Sequence, residues 1–241
     1  MKKALSLVLV VILTIVLCLT GCSGKEKKIV VNFLNWGEYM DPDVVNEFNA
    51  MQDEIEIVCK YTTSNEEMYA LCSTEGSEID IIVPSDYMVE RMIKEGLLAK
   101  MDYKGMENYE NIKAYSETRT FDPNSEYSVP FICGTLGIVY NTKLVDDEVK
   151  SWDILWDEKY SGKIMMYSSI RDTMAVALSR LGYDINSTNP EEIKEAGATL
   201  MEQRPLVLAY GTDDIKTSMV GGAVALAMDY SGGAAAAIME N

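Results

Sequence analysis

Apolar residues along the chain switch repeatedly between two periods. Short unbroken runs at 29–34, 55–61 and 80–83 have the composition of strands, while the stretches between them space their apolar residues for helices. Asp41-Pro42 reads as an N-cap followed by proline at the first helical position, with Val44, Val45 and Phe48 on one face of the helix it opens. Ser64-Asn65-Glu66-Glu67 has the spacing of a capping box and predicts a helix to about position 74. Asp80 to Val83 reads as a buried strand, and Pro84-Ser85 turns into a helix over 86–95 closed by Gly96. The order is β-α-β-α-β-α.

Positions 101–120 are polar and irregular, with a turn at Asp122-Pro123-Asn124. Two extended segments follow at 127–132 and 137–141, separated by Cys133-Gly134-Thr135. Consecutive strands with no helix between them mark a crossover between two lobes, which gives lobe 1 as 29–133 and lobe 2 as 134–241. Beyond it the pattern predicts helices at 152–156, 172–181 and 191–201 and strands at 163–167, 206–210 and 223–228. A further helix begins near Gly233 and has no terminating signal.

Strand–helix alternation implies parallel strands with right-handed crossovers, so their carboxyl ends share one edge. Trp36, Glu38, Tyr39, Ser85, Asp86 and Tyr87 are thereby brought to one crevice in the first lobe. By the same logic Ser168, Ser169, Arg171 and Asp172 end one strand of the second lobe, and Asp229 and Tyr230 end another. Rings, phenols and carboxylates in such proximity suit a cation with an apolar stem. Each also has a plainer reading. Ser85 is an ordinary N-cap, Asp172 favours the dipole of the helix it begins, and Trp36 and Tyr39 would serve equally in a core or on a surface.

The first residues carry a different signal. Met1-Lys2-Lys3 is a basic n-region, 4–19 is an apolar stretch too short for a full membrane span, and Thr20-Gly21-Cys22 follows. Residues 1–21 therefore read as a signal peptide and 22–28 as a polar tether. Leu19-Thr20-Gly21-Cys22 resembles a bacterial lipobox, which implies an exported protein acylated at Cys22 and held at the outer face of the cell membrane, on the periplasmic side where an outer membrane exists.

Composition narrows the chemistry. Lys and Arg number 21 against 38 Asp and Glu, a net charge of −17 that repels nucleic acid and favours cationic solutes. Histidine is absent, which removes imidazole-dependent triads and most familiar zinc sites. The five cysteines, Cys18, Cys22, Cys59, Cys72 and Cys133, include no C-x-x-C pair, and Cys59 and Cys72 are expected as buried thiols. Neither a cofactor nor a metal is implied.

Asn35-Trp36-x-Glu38-Tyr39, Ser64 to Tyr69, Asp80-x-x-Val83-Pro84-Ser85-x-Tyr87, the segment 152–162 and Leu181-Gly182-Tyr183 occur in an order that resembles the spermidine/putrescine-binding (PotD) family. These are substrate-binding proteins of ABC transporters with the two-lobed type II periplasmic-binding-protein fold, an α/β class. The resemblance runs from Ile29 onward and implies a C-terminal portion missing from this chain. It further implies a monomeric, non-enzymatic carrier that takes a polyamine between its lobes and delivers it to a membrane permease. Trp36, Tyr39 and Tyr87 match the family's aromatic walls, and Glu38 and Ser85 match its amine contacts. An ammonium over an indole face gains about 0.5–2 kcal/mol. Where the family has an acidic pair this chain has Ser169 and Asp172. Tyr230 stands for a cleft tryptophan and Cys133 for another tryptophan, and Asp229 or Asp86 offers a substitute charge. Two rival readings are a binder of an anion or chelated metal on the same fold, drawn to helix N-termini, and a carboxylate-pair enzyme using Glu38 and Asp172.

Overall fold

The computed structural model describes residues 27–112, 114 and 119–240. The signal peptide, Cys22 and most of the tether lie outside the described residues. Among the described residues the architecture is α/β and contains two sheets, one of strand order β2 (Ile55–Thr62), β1 (Ile29–Trp36), β3 (Ile81–Ile82) and one of order β4 (Leu136–Tyr140), β7 (Leu226–Tyr230), β5 (Ile164–Tyr167), β6 (Val207–Gly211). Backbone proximity divides the described chain into a smaller unit, up to Val31 with Pro42–Val58, and a larger one, Asn32–Asp41 with Cys59 onward.

The smaller unit holds the starts of β1 (Ile29–Trp36) and β2 (Ile55–Thr62) and helix α1 (Pro42–Met51). The Asn49 side chain pairs with both the N–H and the carbonyl of Ile57, at 2.8 and 3.0 Å, and Lys28 Nζ donates to the carbonyls of Asn49 and Gln52. The helix forms where its cap signal predicts, but its apolar stripe is uncovered. Val44 is 55% exposed, Phe48 is 38% exposed, and no residue of α1 is buried.

In the larger unit β1 continues through Trp36, two residues further than its apolar run suggests. It pairs in parallel with β3 (Ile81–Ile82), which is shorter than predicted and not fully buried, since Ile81 is half exposed. Helix α2 (Asn65–Ser73) starts at Ser64, whose hydroxyl accepts the Glu67 N–H at 3.1 Å. The reciprocal half of the capping box does not form. The Glu67 carboxylate instead accepts from Thr63 N–H and from Thr62 Oγ1, donors that precede the cap, and these bonds hold its pKa below the usual range. Helix α3 (Asp86–Lys94) buries Met88, Val89 and Met92.

The predicted strand at 127–132 is an extended loop. Its backbone is drawn to the buried Asp122 carboxylate, which accepts the N–H groups of Glu126, Tyr127 and Ser128 in place of a ladder. The segment 152–156 is a 3-10 turn, within which Leu155 is buried and Trp152 and Trp156 are half-buried.

The second sheet is mixed. β5 (Ile164–Tyr167) lies parallel to β6 (Val207–Gly211) and to β7 (Leu226–Tyr230), whereas β4 (Leu136–Tyr140) runs antiparallel to β7. Its central strands are covered on both faces. Ile164, Met166, Leu226 and Met228 pack into one cluster with Leu155, Tyr160 and Val176, and Met165 and Ala227 pack into another with Ile215 and Met219. Helices α4 (Ile170–Arg180) and α5 (Pro190–Gln203) share a cluster of Ala177, Leu178 and Ala196. Helix α6 (Asp214–Val220) was not legible in the sequence, and α7 (Ser231–Met239) begins directly at the end of β7.

Candidate functional site

Trp36 closes β1 and has two roles. Its ring packs with Leu34 and Met68, it is 8% exposed, and its indole N–H donates to the Val83 carbonyl at 2.7 Å. The remaining face looks onto a cavity. A tight turn, closed by Tyr39 N–H to the Trp36 carbonyl, brings the Tyr39 ring to 5.9 Å from the indole. Core packing and a place on the cavity wall therefore coincide at this residue.

Ser85 occupies the N-cap position of α3, but its side chain makes no cap bond. The Asn65 amide clamps it instead, donating to Ser85 Oγ at 3.0 Å and accepting Ser85 N–H at 2.8 Å. This fixes the start of α2 against the start of α3. Asp86 is exposed and takes the N–H of Tyr87, so it does not reach the cavity. The Tyr87 hydroxyl donates to Glu66 at 3.2 Å, and the Arg171 guanidinium lies 5.8 Å from the Tyr87 ring centre. Burial, then the Glu66 charge, pushes the Tyr87 phenol far up, so it remains a neutral donor.

Across the cavity, Tyr167 at the end of β5 and Tyr230 at the end of β7 meet edge to face at 5.2 Å. The Tyr230 hydroxyl donates to Asp172 Oδ1 at 3.0 Å, and Asp172 N–H donates to Ser169 Oγ, the cap of α4. Burial raises the pKa of both phenols well beyond the physiological range, so both stay protonated. Tyr39 moves the same way through burial and the charges of Asp172 and Asp213.

The cavity is small, about 20 Å³, and aromatic on both sides. Of the residues expected at the site, Trp36, Tyr39, Ser85, Ser169, Asp172 and Tyr230 line it. Tyr87 touches it through Glu66, and Glu38 and Asp86 are not on its wall. Ser64, Asn65, Glu66 and Tyr167 line it without having been singled out as ligand contacts. A capping box hid the first three, and an apolar strand pattern hid the last.

Beyond the phenols lies a second group of carboxylates. Asp229 is 6% exposed, and its carboxyl is pushed up to about 6 by burial, with the charges of Glu38 and Asp213 adding and the Tyr230 N–H opposing. Asp213 is raised by burial and by Glu38 and Asp214. Two of these acids lie against the backbone of glycines. A Cβ at Gly37 would sit 2.4 Å from Asp213 Oδ2, and one at Gly233 would sit 2.5 Å from Asp229 Oδ2. Glu38, expected to contact ligand, is paired with Lys216 Nζ at 2.8 Å.

A wider depression, about 250 Å³ in volume, lies between Asp147, Lys150 and Asp157. It has no aromatic wall, and Lys159 pairs with Asp146 and Asp147 at its edge. Among the described residues no group of three His, Cys, Asp or Glu is arranged to hold a metal.

Residues 43–241 match the model of the bacterial extracellular solute-binding proteins. The chain is 35% identical over 204 residues to the spermidine/putrescine-binding periplasmic protein of Escherichia coli, covering 84% of this chain and 58% of that relative's length. Among solved structures, a putative spermidine/putrescine ABC transporter from Listeria monocytogenes superposes with a TM-score of 0.83 at 32% identity, over 88% of this chain and 66% of that one. The PotD lipoprotein of Treponema pallidum gives 0.76 at 28% identity, over 85% and 64% of the two chains.

Proposed function

This chain belongs to the bacterial extracellular solute-binding protein family, and from that premise we propose that it captures a polyamine for uptake by an ABC-transporter permease. The observation that carries the reading is the composition of one cavity, in which Trp36, Tyr39, Tyr167 and Tyr230 supply apolar walls and Glu66 and Asp172 supply charge, with no Lys or Arg on the lining. Ring faces stabilise both the methylene stem and the ammonium ends of such a ligand, and carboxylates add charge-assisted hydrogen bonds. Ser85, held by Asn65, offers a fixed polar contact.

The lobes in this reading are 29–133 and 134–241, each centred on one of the two sheets. The cavity has room for about one water, so entry of a ligand requires the lobes to part, and closure is driven by contacts made only in the closed state. The protein is exported as a monomer and anchored through acylated Cys22, without a cofactor and without catalysis.

The anion reading is favoured by one observation: the capping serines of α2 and α4, Ser64 and Ser169, both open onto the cavity. The neighbouring Glu66 and Asp172 oppose it electrostatically. Thermal-shift and calorimetric titration of the exported chain with putrescine, spermidine, oxyanions and iron chelates separates the two. Amine-dependent stabilisation is expected, and stabilisation by oxyanions or chelates alone would overturn the polyamine reading. Intact ligand after prolonged incubation distinguishes carriage from turnover, and mass spectrometry of the membrane-released protein tests acylation of Cys22.

A further inference from the structure

Glu38 follows β1 in the turn that carries Trp36 and Tyr39, yet its carboxylate is already engaged by a cation of the protein. Lys216, on α6, places its Nζ 2.8 Å from Glu38 and 3.1 Å from Glu240, just beyond α7. Its side chain is 19% exposed, and its two carboxylate partners are about half exposed. Three separate elements converge on this one charge. The start of α6 also presses on the same turn, since Asp213 Oδ2 occupies the space that a Cβ at Gly37 would need.

The acids around the phenols therefore fall into two groups of different character. Glu66 and Asp172 line the cavity and are bonded by neutral hydroxyls, those of Tyr87 and Tyr230. Glu38, Asp213 and Asp229 are electrostatically coupled to one another, and Lys216 is the cation set among them. A ligand ammonium that approached Glu38 would have to displace Lys216 from two carboxylates or remain beside a like charge, and both outcomes weaken binding at that end.

We propose that Lys216 is a specificity-determining residue, a built-in cation that engages Glu38 in the turn carrying Trp36 and Tyr39 and so favours ligands with two ammonium groups over those with three. The inference rests on the polyamine reading of the cavity. A diamine is held by the aromatic walls with Glu66 and Asp172. A triamine brings a third ammonium for which the lining has no further carboxylate, and Glu38, in the turn that carries Tyr39, is already paired with Lys216.

The test is isothermal titration of the full chain with putrescine and spermidine, comparing the wild type with Lys216→Met, which keeps the stem and removes the charge, and Lys216→Arg, which keeps the charge. The wild type is expected to bind putrescine at least as tightly as spermidine. Lys216→Met should shift the affinity ratio toward spermidine by about tenfold, equivalent to about 1.4 kcal/mol, and Lys216→Arg should leave the ratio near its wild-type value. Should the methionine variant fold poorly, Glu240→Gln loosens Lys216 from one of its two partners and should shift the ratio the same way by a smaller factor. An unchanged ratio in a variant that still binds putrescine overturns the role of Lys216 and leaves the polyamine reading intact. A wild type that prefers spermidine also overturns it. Failure of every form, wild type included, to bind either amine overturns both.

Discussion

The Tyr230 hydroxyl donates to the Asp172 carboxylate at 3.0 Å and so ties the last residue of β7 to the first turn of α4. Because burial keeps the phenol protonated, the bond orients one carboxylate oxygen and leaves the other for a ligand. Asp172→Asn keeps an oxygen for Tyr230 and removes the charge. Amine affinity is expected to fall about 10- to 100-fold, from the roughly 1.5–3 kcal/mol typical of a charged hydrogen bond, with a melting temperature close to wild type. Calorimetric titration checks this, and undiminished affinity would remove Asp172 from the site.

Asp229 supplies a pH dependence whose sign is fixed. Its carboxyl ionises at about 6 in the folded protein and near the ordinary aspartate value in the unfolded chain. Between those values the folded state holds the proton and the unfolded state does not, so this residue's contribution to stability falls as pH rises from about 4 through 6. The full effect is about 3 kcal/mol at most. Denaturant titrations of Asp229→Asn should lack that decline, and the wild-type minus variant difference across pH 4–7 is the measurement. A bound ammonium nearby would lower the ionisation point, so amine affinity is expected to rise over the same interval.

Trp36 packs in the core and lines the cavity, so its variants test stability and binding together. Trp36→Ala removes a ring packed on Leu34 and Met68 and should cost about 3–5 kcal/mol. Trp36→Phe keeps most of the packing but strands the Val83 carbonyl, and is expected to cost about 1 kcal/mol in stability. It should also weaken amine binding, because the smaller ring is the poorer cation partner. Chemical denaturation and ligand titration on the two variants separate these contributions.

Asp122 is a purely structural charge. Burial works against its ionisation, but the N–H groups of Tyr127, Glu126 and Ser128 and the Ser128 hydroxyl overcome it and hold the carboxyl below its usual range. Its stabilising contribution is present above the unfolded value and is lost as pH falls through the lower folded one. Asp122→Ala should cost about 3 kcal/mol, since it leaves three backbone amides and the Ser128 hydroxyl without the acceptor they share. Acid titration of the fold should then lack the wild-type step below pH 4. Amine binding by protein that remains folded should be unaffected.

The sequence alone determined the alternation of strands and helices and the gathering of Trp36, Tyr39, Ser85, Ser169, Asp172 and Tyr230 at one cavity. Strand and helix periods are local properties, and parallel crossovers leave little freedom in where strand ends point. It determined the family as well, because the motifs that carry the resemblance are contiguous. Tertiary structure alone decided the partners. Asn65, read as part of a helix cap, turns across to clamp Ser85, and Tyr167, read as the end of a buried strand, becomes a wall. The 127–132 segment, read as a strand, bends instead onto Asp122. Lys216 reaches Glu38 across 178 residues of sequence, from a helix of seven residues whose pattern is too short to announce itself. Hydrogen bonds and ion pairs depend on which side chains the packed chain brings within about 3 Å, and no periodicity along one chain encodes that distance.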